Sequence, residues 1–336
     1  MSDFLDKAYD LTRLQRSELG ERAKDFDDVF QAIAELQGVH SKSYLDLNNI
    51  EIVFGAIEMG LLLGKLGERQ NDQIKKLRDS LVVLIYRTLE LSTRFPVSNG
   101  QVEPPGAYRD FLVRLRKLLD GQPRHDPHEF SFITFNYDLC LDYALQFYGF
   151  GPDYCLDGGP KSGTPLLKLH GSINWGLTSQ DRIAAWPVSN VAFNRAFLSD
   201  MKYVIFDLGS KLGAANFQGE HLKGPPIIVP PSWNKNSYHG QLSQVWAQAA
   251  RAFGEAQNIF VVGYSLPVTD SFFHYLYALG SESSTRVKNF VVINPDRTSE
   301  QRFRDLIGPG IKNRFSFVPQ PFENAVSLIE GIIHDR

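Results

Sequence analysis

Two short apolar runs in this 336-residue chain stop abruptly on polar side chains able to do chemistry. Residues 131–138 read SFITFNYD, and residues 168–175 read KLHGSINW, with His170 near the start. In an open parallel sheet, ligands sit outside the carboxyl ends of the strands. Asn136, Asp138 and His170 would therefore converge on one site if the two strands are neighbours. An imidazole ionises near neutrality and can take a proton from a sugar hydroxyl or a water. An Asn amide both donates and accepts, which suits holding a hydroxyl or a water in place. Taken singly, Asn136 reads equally as a cap or Asx-turn residue opening a helix at about 139–149. His170 alone reads as a core histidine satisfied by a backbone carbonyl. It is the coincidence of two such strand ends that points to a site.

Further strand ends add to it. VVGYSLPVTD at 261–270 offers Gly263, which lets a sugar or phosphate approach the backbone, and Ser265, with a hydroxyl and an amide. Asp270 falls at or near the start of a helix, as a cap or as a ligand contact. VVINPD at 291–296 places Asn294 where it could hold a ribose hydroxyl or set an Asn-Pro-Asp turn. PPSWNKN at 230–236 carries Trp233, able to stack on a ring or to pack. Other patterns carry less. GGPKSGT at 158–164 lacks the phosphate-loop spacing and reads as a mobile loop. HDPH at 125–128 has two histidines and no third ligand in view. Neither a G-x-S-x-G elbow nor an HExxH helix occurs, so a serine hydrolase or zinc protease has no support.

The elements that must position these residues divide near residue 126. Residues 1–125 are expected to form a helical subdomain, with helices over 26–38, 47–66, 72–92 and 108–121 and a loop over 96–106. Residues 126–336 alternate short apolar runs with helices: strands over 130–136, 165–171, 202–208, 225–231, 258–265, 289–295 and 314–320, helices over 243–256 and 271–280. Continuous apolar runs suit strands covered on both faces. The expected fold is α/β, a mostly parallel sheet beside the helical subdomain.

Composition sets the class. A formal charge of -3 with scattered Lys and Arg leaves no basic footprint, which argues against strong direct nucleic-acid binding. Two cysteines, Cys140 and Cys155, lie outside any C-x-x-C pair, which suits a reducing cytosol and leaves no ligand set for zinc. The start MSDFLDKAYD is polar and acidic, unlike a signal peptide, and no apolar run approaches the roughly 20 residues of a membrane span. A soluble, cytoplasmic protein without a membrane partner is expected.

In order and rough spacing, F-N-Y-D, L-H-G-S, V-P-P, G-Y-S-L-P and I-N-P-D resemble the motifs of sirtuins. More closely, they resemble the zinc-less, sirtuin-like domains of bacterial antiphage systems. The resemblance covers roughly residues 128–300, and NNIEIVF at 48–54 resembles part of the helical insertion of those domains. It implies a Rossmann-like, doubly wound NAD-binding fold and no metal. Asn136 would orient the nicotinamide ribose and the attacking water, Asp138 would contact the nicotinamide amide, and His170 would be the catalytic histidine. Phe135, Gly171, Ser172 and Tyr264 fall in the same motifs, Thr134 and Asp270 lie beside them, and all six are expected at the cofactor. Gly263 and Ser265 would meet the ribose-phosphate, and Asn294 the adenine ribose.

The implied reaction is cleavage of the nicotinamide–ribose bond of NAD+ to give nicotinamide and ADP-ribose, used in defence to deplete the cofactor of an infected cell. A homo-oligomer is expected, and a HerA-type ATPase or an Argonaute-like protein as sensing partner. The family's opening strand and Gly-Ala-Gly-x-Ser loop have no counterpart here, since residues 1–25 read as a polar helical stretch. Either that loop lies upstream of the sequence, which is the expectation, or the chain departs from the family here and binds NAD+ poorly. Two alternatives stay open: a non-catalytic subunit that binds NAD or ADP-ribose or serves as a scaffold, and a protein deacylase. The latter ranks lower, because deacylating sirtuins carry a four-cysteine zinc module.

Overall fold

A computed structural model of the chain describes residues 4–38, 44–120, 130–159, 162–188, 193–194, 202–214, 216–217, 220–229, 239–267, 271–282 and 285–334. The chain forms two compact units, each assembled from three separate stretches. The first comprises Met1–Val102, Phe135–Leu139 and His170–Gln241, and the second Glu103–Thr134, Cys140–Leu169 and Leu242–Arg336. The division is thus discontinuous, unlike a single cut near residue 126. That expected cut falls in 121–129, outside the described residues.

The first unit is helical at its start, with helices Phe4–Leu14, Ala23–Gln37, Ile50–Leu63 and Asn71–Ser92. Apolar residues at helical spacing build its core: Phe26, Val29 and Ile33 from one helix, Ile74, Leu77, Leu81 and Leu84 from another, all buried. The helix expected over 47–66 is shorter at both ends. Asn49 caps it by accepting the Glu51 N–H at 2.9 Å, and Gly64 at φ 73° stops it in the left-handed conformation. The loop expected over 96–106 is in part a hairpin, Phe95–Ser98 against Gln101–Val102. Its two central residues, Asn99 and Gly100, both have positive φ, 50° and 77°, which is the type I′ turn that Asn-Gly favours. Tyr203–Phe206 pairs antiparallel with this hairpin, and Phe95 meets Phe206 edge-on at 4.5 Å.

The second unit holds two parallel sheets. Phe132–Thr134 and Pro152–Asp153 flank Thr164–Lys168 in one, and Asn258–Val262, Asn289–Ile293 and Phe315–Val318 form the other. Helices Gly106–Asp120, Cys140–Phe147 and Phe322–His334 cover them with apolar faces, burying Leu112, Leu115, Leu145 and Leu166 in one cluster and Val291, Ile293 and Ile329 in another. Among the described residues, every strand pair of the second unit is parallel, and every pair of the first is antiparallel. The whole is a mixed α/β fold with several small sheets. The strands expected over 202–208 and 225–231 therefore belong to antiparallel pairs, Tyr203–Phe206 and Ile227–Ile228. No helix among the described residues is long and apolar enough to cross a membrane.

Candidate functional site

The strands Phe132–Thr134 and Thr164–Lys168 are parallel neighbours with Thr134 opposite Lys168. Leu169 continues the ladder by donating its N–H to the Thr134 carbonyl at 3.0 Å. Each chain then leaves the sheet, one through Phe135 and Asn136 and the other through His170 and Gly171. These residues belong to the first unit, where the two segments stay together. The edge of Phe135 meets the His170 ring at a centroid distance of 5.0 Å, and Tyr137 lies at 6.2 Å. The Tyr137 carbonyl accepts the Ile173 N–H at 3.1 Å and the Ser172 hydroxyl at 3.3 Å. His170 is only 4% exposed, so its imidazole sits between aromatic rings in a medium of low dielectric. Asn136 is exposed and Asp138 half-buried.

Asn136 does not open the next helix. That helix begins at Cys140, so the cap reading of Asn136 is not what the structure adopts. Gly171 has a steric reason to be glycine: φ is 86°, and a Cβ there would stand 2.1 Å from the Ile227 carbonyl oxygen. That close approach is the antiparallel pairing of Gly171–Ser172 with Ile227–Ile228. Ser172 is buried and its hydroxyl is committed to Tyr137, which makes it a structural bond in the first instance.

In the second unit, Gly263 follows the strand Asn258–Val262 at φ 67°, and nothing lies within 4 Å of where a Cβ would be. Its N–H donates to the Ile293 carbonyl at 2.9 Å. Asn294, just past the neighbouring strand, is buried and bridges the two strand ends. Its Nδ2 donates to the Tyr264 carbonyl at 3.2 Å, and its Oδ1 accepts the Asp296 N–H at 2.9 Å. The turn reading of Asn294 is therefore realised. The Tyr264 ring packs edge-on against Phe273 and Phe303, and Ser265 is half-buried. Thr298 hydrogen bonds, from its hydroxyl at 2.7 Å and its N–H at 2.9 Å, hold the Asp296 carboxyl below the usual carboxylate range. Asp270, Trp233, His125 and His128 lie outside the described residues.

Three groups escaped the sequence reading. Lys168 is 0% exposed and its Nζ lies 2.9 and 3.2 Å from the Asp142 carboxylate, which also accepts the Tyr154 hydroxyl at 2.7 Å. The aspartate lies on the helix Cys140–Phe147, 26 residues before the lysine, and no local pattern in the sequence links the two. Asp153 accepts the Cys155 N–H at 2.9 Å and the Ser162 N–H at 3.1 Å. In the first unit, a cleft of about 170 Å³ is lined by Phe54, Glu58, Val82 and residues 225–229. Cys155 is not a nucleophile in waiting: burial, with Asp153 beside it, pushes its thiol up to about 12. Among the described residues, no group of three or more His, Cys, Asp or Glu is placed to hold a metal ion.

The chain matches no protein-family model, and no curated protein is similar to it.

Proposed function

We propose that this chain is an NAD+ glycohydrolase that cleaves the nicotinamide–ribose bond, working as an effector that depletes NAD+ during antiphage defence. The reading rests on one observation: two parallel, neighbouring strands deliver Phe135–Asn136 and His170 at adjacent carboxyl ends, with the Phe135 and His170 rings in contact. In this reading the parallel sheets of the second unit belong to a Rossmann-like, doubly wound fold. The open space beside Gly263 suits a backbone that must admit a ribose-phosphate.

Asn136 would orient a water against C1′, and Asp138 would hold the nicotinamide amide. As the water oxygen bonds to C1′, the C1′–N bond breaks and its electron pair returns to the pyridine nitrogen. His170 takes the water's proton and passes it to solvent. The products are nicotinamide and ADP-ribose. Burial of the imidazole keeps bulk water from competing with the oriented one. By the same resemblance, control would come from assembly into a homo-oligomer or from a HerA-type ATPase or Argonaute-like partner.

A second reading is favoured by a different observation. His170 is almost wholly buried, and Ser172 and Asn294 already bond to the protein, as they would in a subunit that binds NAD or ADP-ribose without turning it over. The deciding experiment follows NAD+ loss and ADP-ribose formation by the purified full chain beside His170→Ala and Asn136→Ala. Turnover removed by both substitutions supports the hydrolase. Silence that persists with the neighbouring gene product added, together with retained nucleotide binding, supports the binding subunit. A deacylated peptide product would move the reaction to lysine deacylation.

A further inference from the structure

The helix Ser299–Leu306 connects the parallel strands Asn289–Ile293 and Phe315–Val318, so it runs back along the sheet and begins at the strands' carboxyl ends. Successive residues of a helix are turned by about 100°. Phe303 faces inward, where its ring meets Tyr264 at 6.4 Å, and Arg304 leans to one flank, over the Phe315 ring at 4.8 Å. Arg302 therefore stands on the opposite flank, the side of Asn258–Val262 and Gly263. Helical side chains also lean toward the helix N-terminus, here toward the turn that Asn294 and Asp296 make. The Arg302 charge is felt at that turn: Asp296 is held low first by Thr298 and, more weakly, by Arg302.

Each carboxylate of this helix and its entry has a partner of its own. Glu300 pairs with Arg304 at 2.6 Å, Asp305 accepts from the Gln301 amide at 2.8 Å, and both Asp296 oxygens accept from Thr298. Arg302 is half-buried and makes no hydrogen bond or ion pair among the described residues, and its Nε is shut off from solvent. Arg87 of the first unit is the contrast. Its Nε is likewise unpaired, but its other nitrogens donate to Glu90 at 2.7 Å, Asp207 at 3.1 Å and the Glu18 carbonyl at 3.0 Å. A guanidinium drawn out of water without an acceptor is costly, and an anionic ligand would supply what the protein does not. Space for one lies beside it. Gly263 is exposed, and no atom stands within 4 Å of where its Cβ would be.

We propose, resting on the reading that puts Asn294 at the adenine ribose, that Arg302 receives a phosphate ester at the 2′ position of that ribose, and that the chain binds NADP+ more tightly than NAD+. In doubly wound nucleotide folds an acid beyond the strand end takes the free 2′-hydroxyl, whereas an arginine nearby takes a 2′-phosphate. Here the acid in that place, Asp296, is turned onto Thr298, and the arginine is the group left without a partner. The planar guanidinium fork matches two phosphate oxygens at once, which a lysine in its place would not.

Calorimetric titration of the full chain with adenosine 2′,5′-bisphosphate and with 5′-AMP isolates the 2′-phosphate, whether or not the protein cleaves NAD+. The bisphosphate should bind at least about tenfold more tightly, as a charge-assisted contact allows. Arg302→Gln should erase that difference and leave 5′-AMP binding unchanged. Arg302→Lys, which keeps the charge without the fork, should keep part of it. Arg297→Gln, which removes an exposed cation from the same turn, should keep all of it. Equal binding of the two nucleotides, binding of neither, or equal losses in Arg297→Gln and Arg302→Gln would overturn the assignment. NAD+ hydrolysis measured alongside keeps the two readings apart. Turnover without a 2′-phosphate preference removes only the role of Arg302, and an Arg302-dependent preference without turnover removes only the hydrolase.

Discussion

Val229 donates its backbone N–H to the His170 carbonyl at 2.8 Å, and the Val229 carbonyl in turn accepts the Tyr137 hydroxyl at 3.1 Å. One residue of the 227–229 segment thus joins the backbone of the histidine to a tyrosine whose ring packs near it. The imidazole is held from the main chain and from its flanking rings together, the rigid support that the proposed proton transfer would require.

Asn136→Ala separates chemistry from stability. The side chain is exposed, so the urea midpoint should correspond to a loss within about 0.5 kcal/mol, while NAD+ hydrolysis should fall at least about a hundredfold. His170→Ala should match it in turnover but also cost stability, since the ring fills space between Phe135 and Tyr137. Unfolding curves beside the hydrolysis assay check both. Undiminished hydrolysis in Asn136→Ala would remove that residue from the reaction.

Two glycines at motif positions should respond differently to alanine. Gly171→Ala combines a left-handed φ with a Cβ 2.1 Å from the Ile227 carbonyl, so the strand pair must part, at about 3 kcal/mol or more. Gly263→Ala meets open space and carries only the backbone strain, about 1 kcal/mol. Equal losses in chemical denaturation would contradict the contact at Gly171.

The Lys168–Asp142 pair should show the asymmetry of buried charges. Asp142→Leu leaves the ammonium buried and alone, at about 3–5 kcal/mol, and adding Lys168→Met should recover much of that loss. Tyr154→Phe should cost about 1 kcal/mol, the value of a single hydrogen bond. A double variant as unstable as the sum of its parts would mean that the pair contributes through packing alone.

The positions of the site were legible in the sequence better than their surroundings. SFITFN and PLLKLH announced strands ending in polar residues, and both strands are there, parallel and adjacent. They end sooner than expected, at Thr134 and Lys168, because Asn136, His170 and Gly171 turn away from the ladder. What escaped were long-range pairings with no local pattern. Nothing at position 142 says that its carboxylate meets a lysine 26 residues on, and nothing at 87 points to Asp207. The Asn99-Gly100 turn is legible in the sequence, because an Asn-Gly pair suits the two positive φ angles of a tight hairpin, but the prolines around it give the segment the look of a loop. Antiparallel pairing of Tyr203–Phe206 was not readable, since a short apolar run has the same look in either kind of sheet.

The two cysteines should differ sharply toward alkylating reagents. With its thiol at about 12, Cys155 is ionised to about one part in ten thousand at pH 8, and it is buried as well. Iodoacetamide on the native chain should label the half-buried Cys140 first, as peptide mass mapping over time would show. Rapid labelling of Cys155 would mean that its pocket opens in solution.

The interleaving of the two units has a consequence for synthesis on the ribosome. Met1–Val102 can collapse early, but the segments that complete its unit are Phe135–Leu139 and His170–Gln241. Its antiparallel partners therefore emerge only after part of the other unit has been made. The second unit waits longer still, because its sheet of Asn258–Val262, Asn289–Ile293 and Phe315–Val318 lies in the last third of the chain. Vectorial, one-domain-at-a-time folding is closed to such a topology, and each unit must hold an unfinished core open while the chain is still growing.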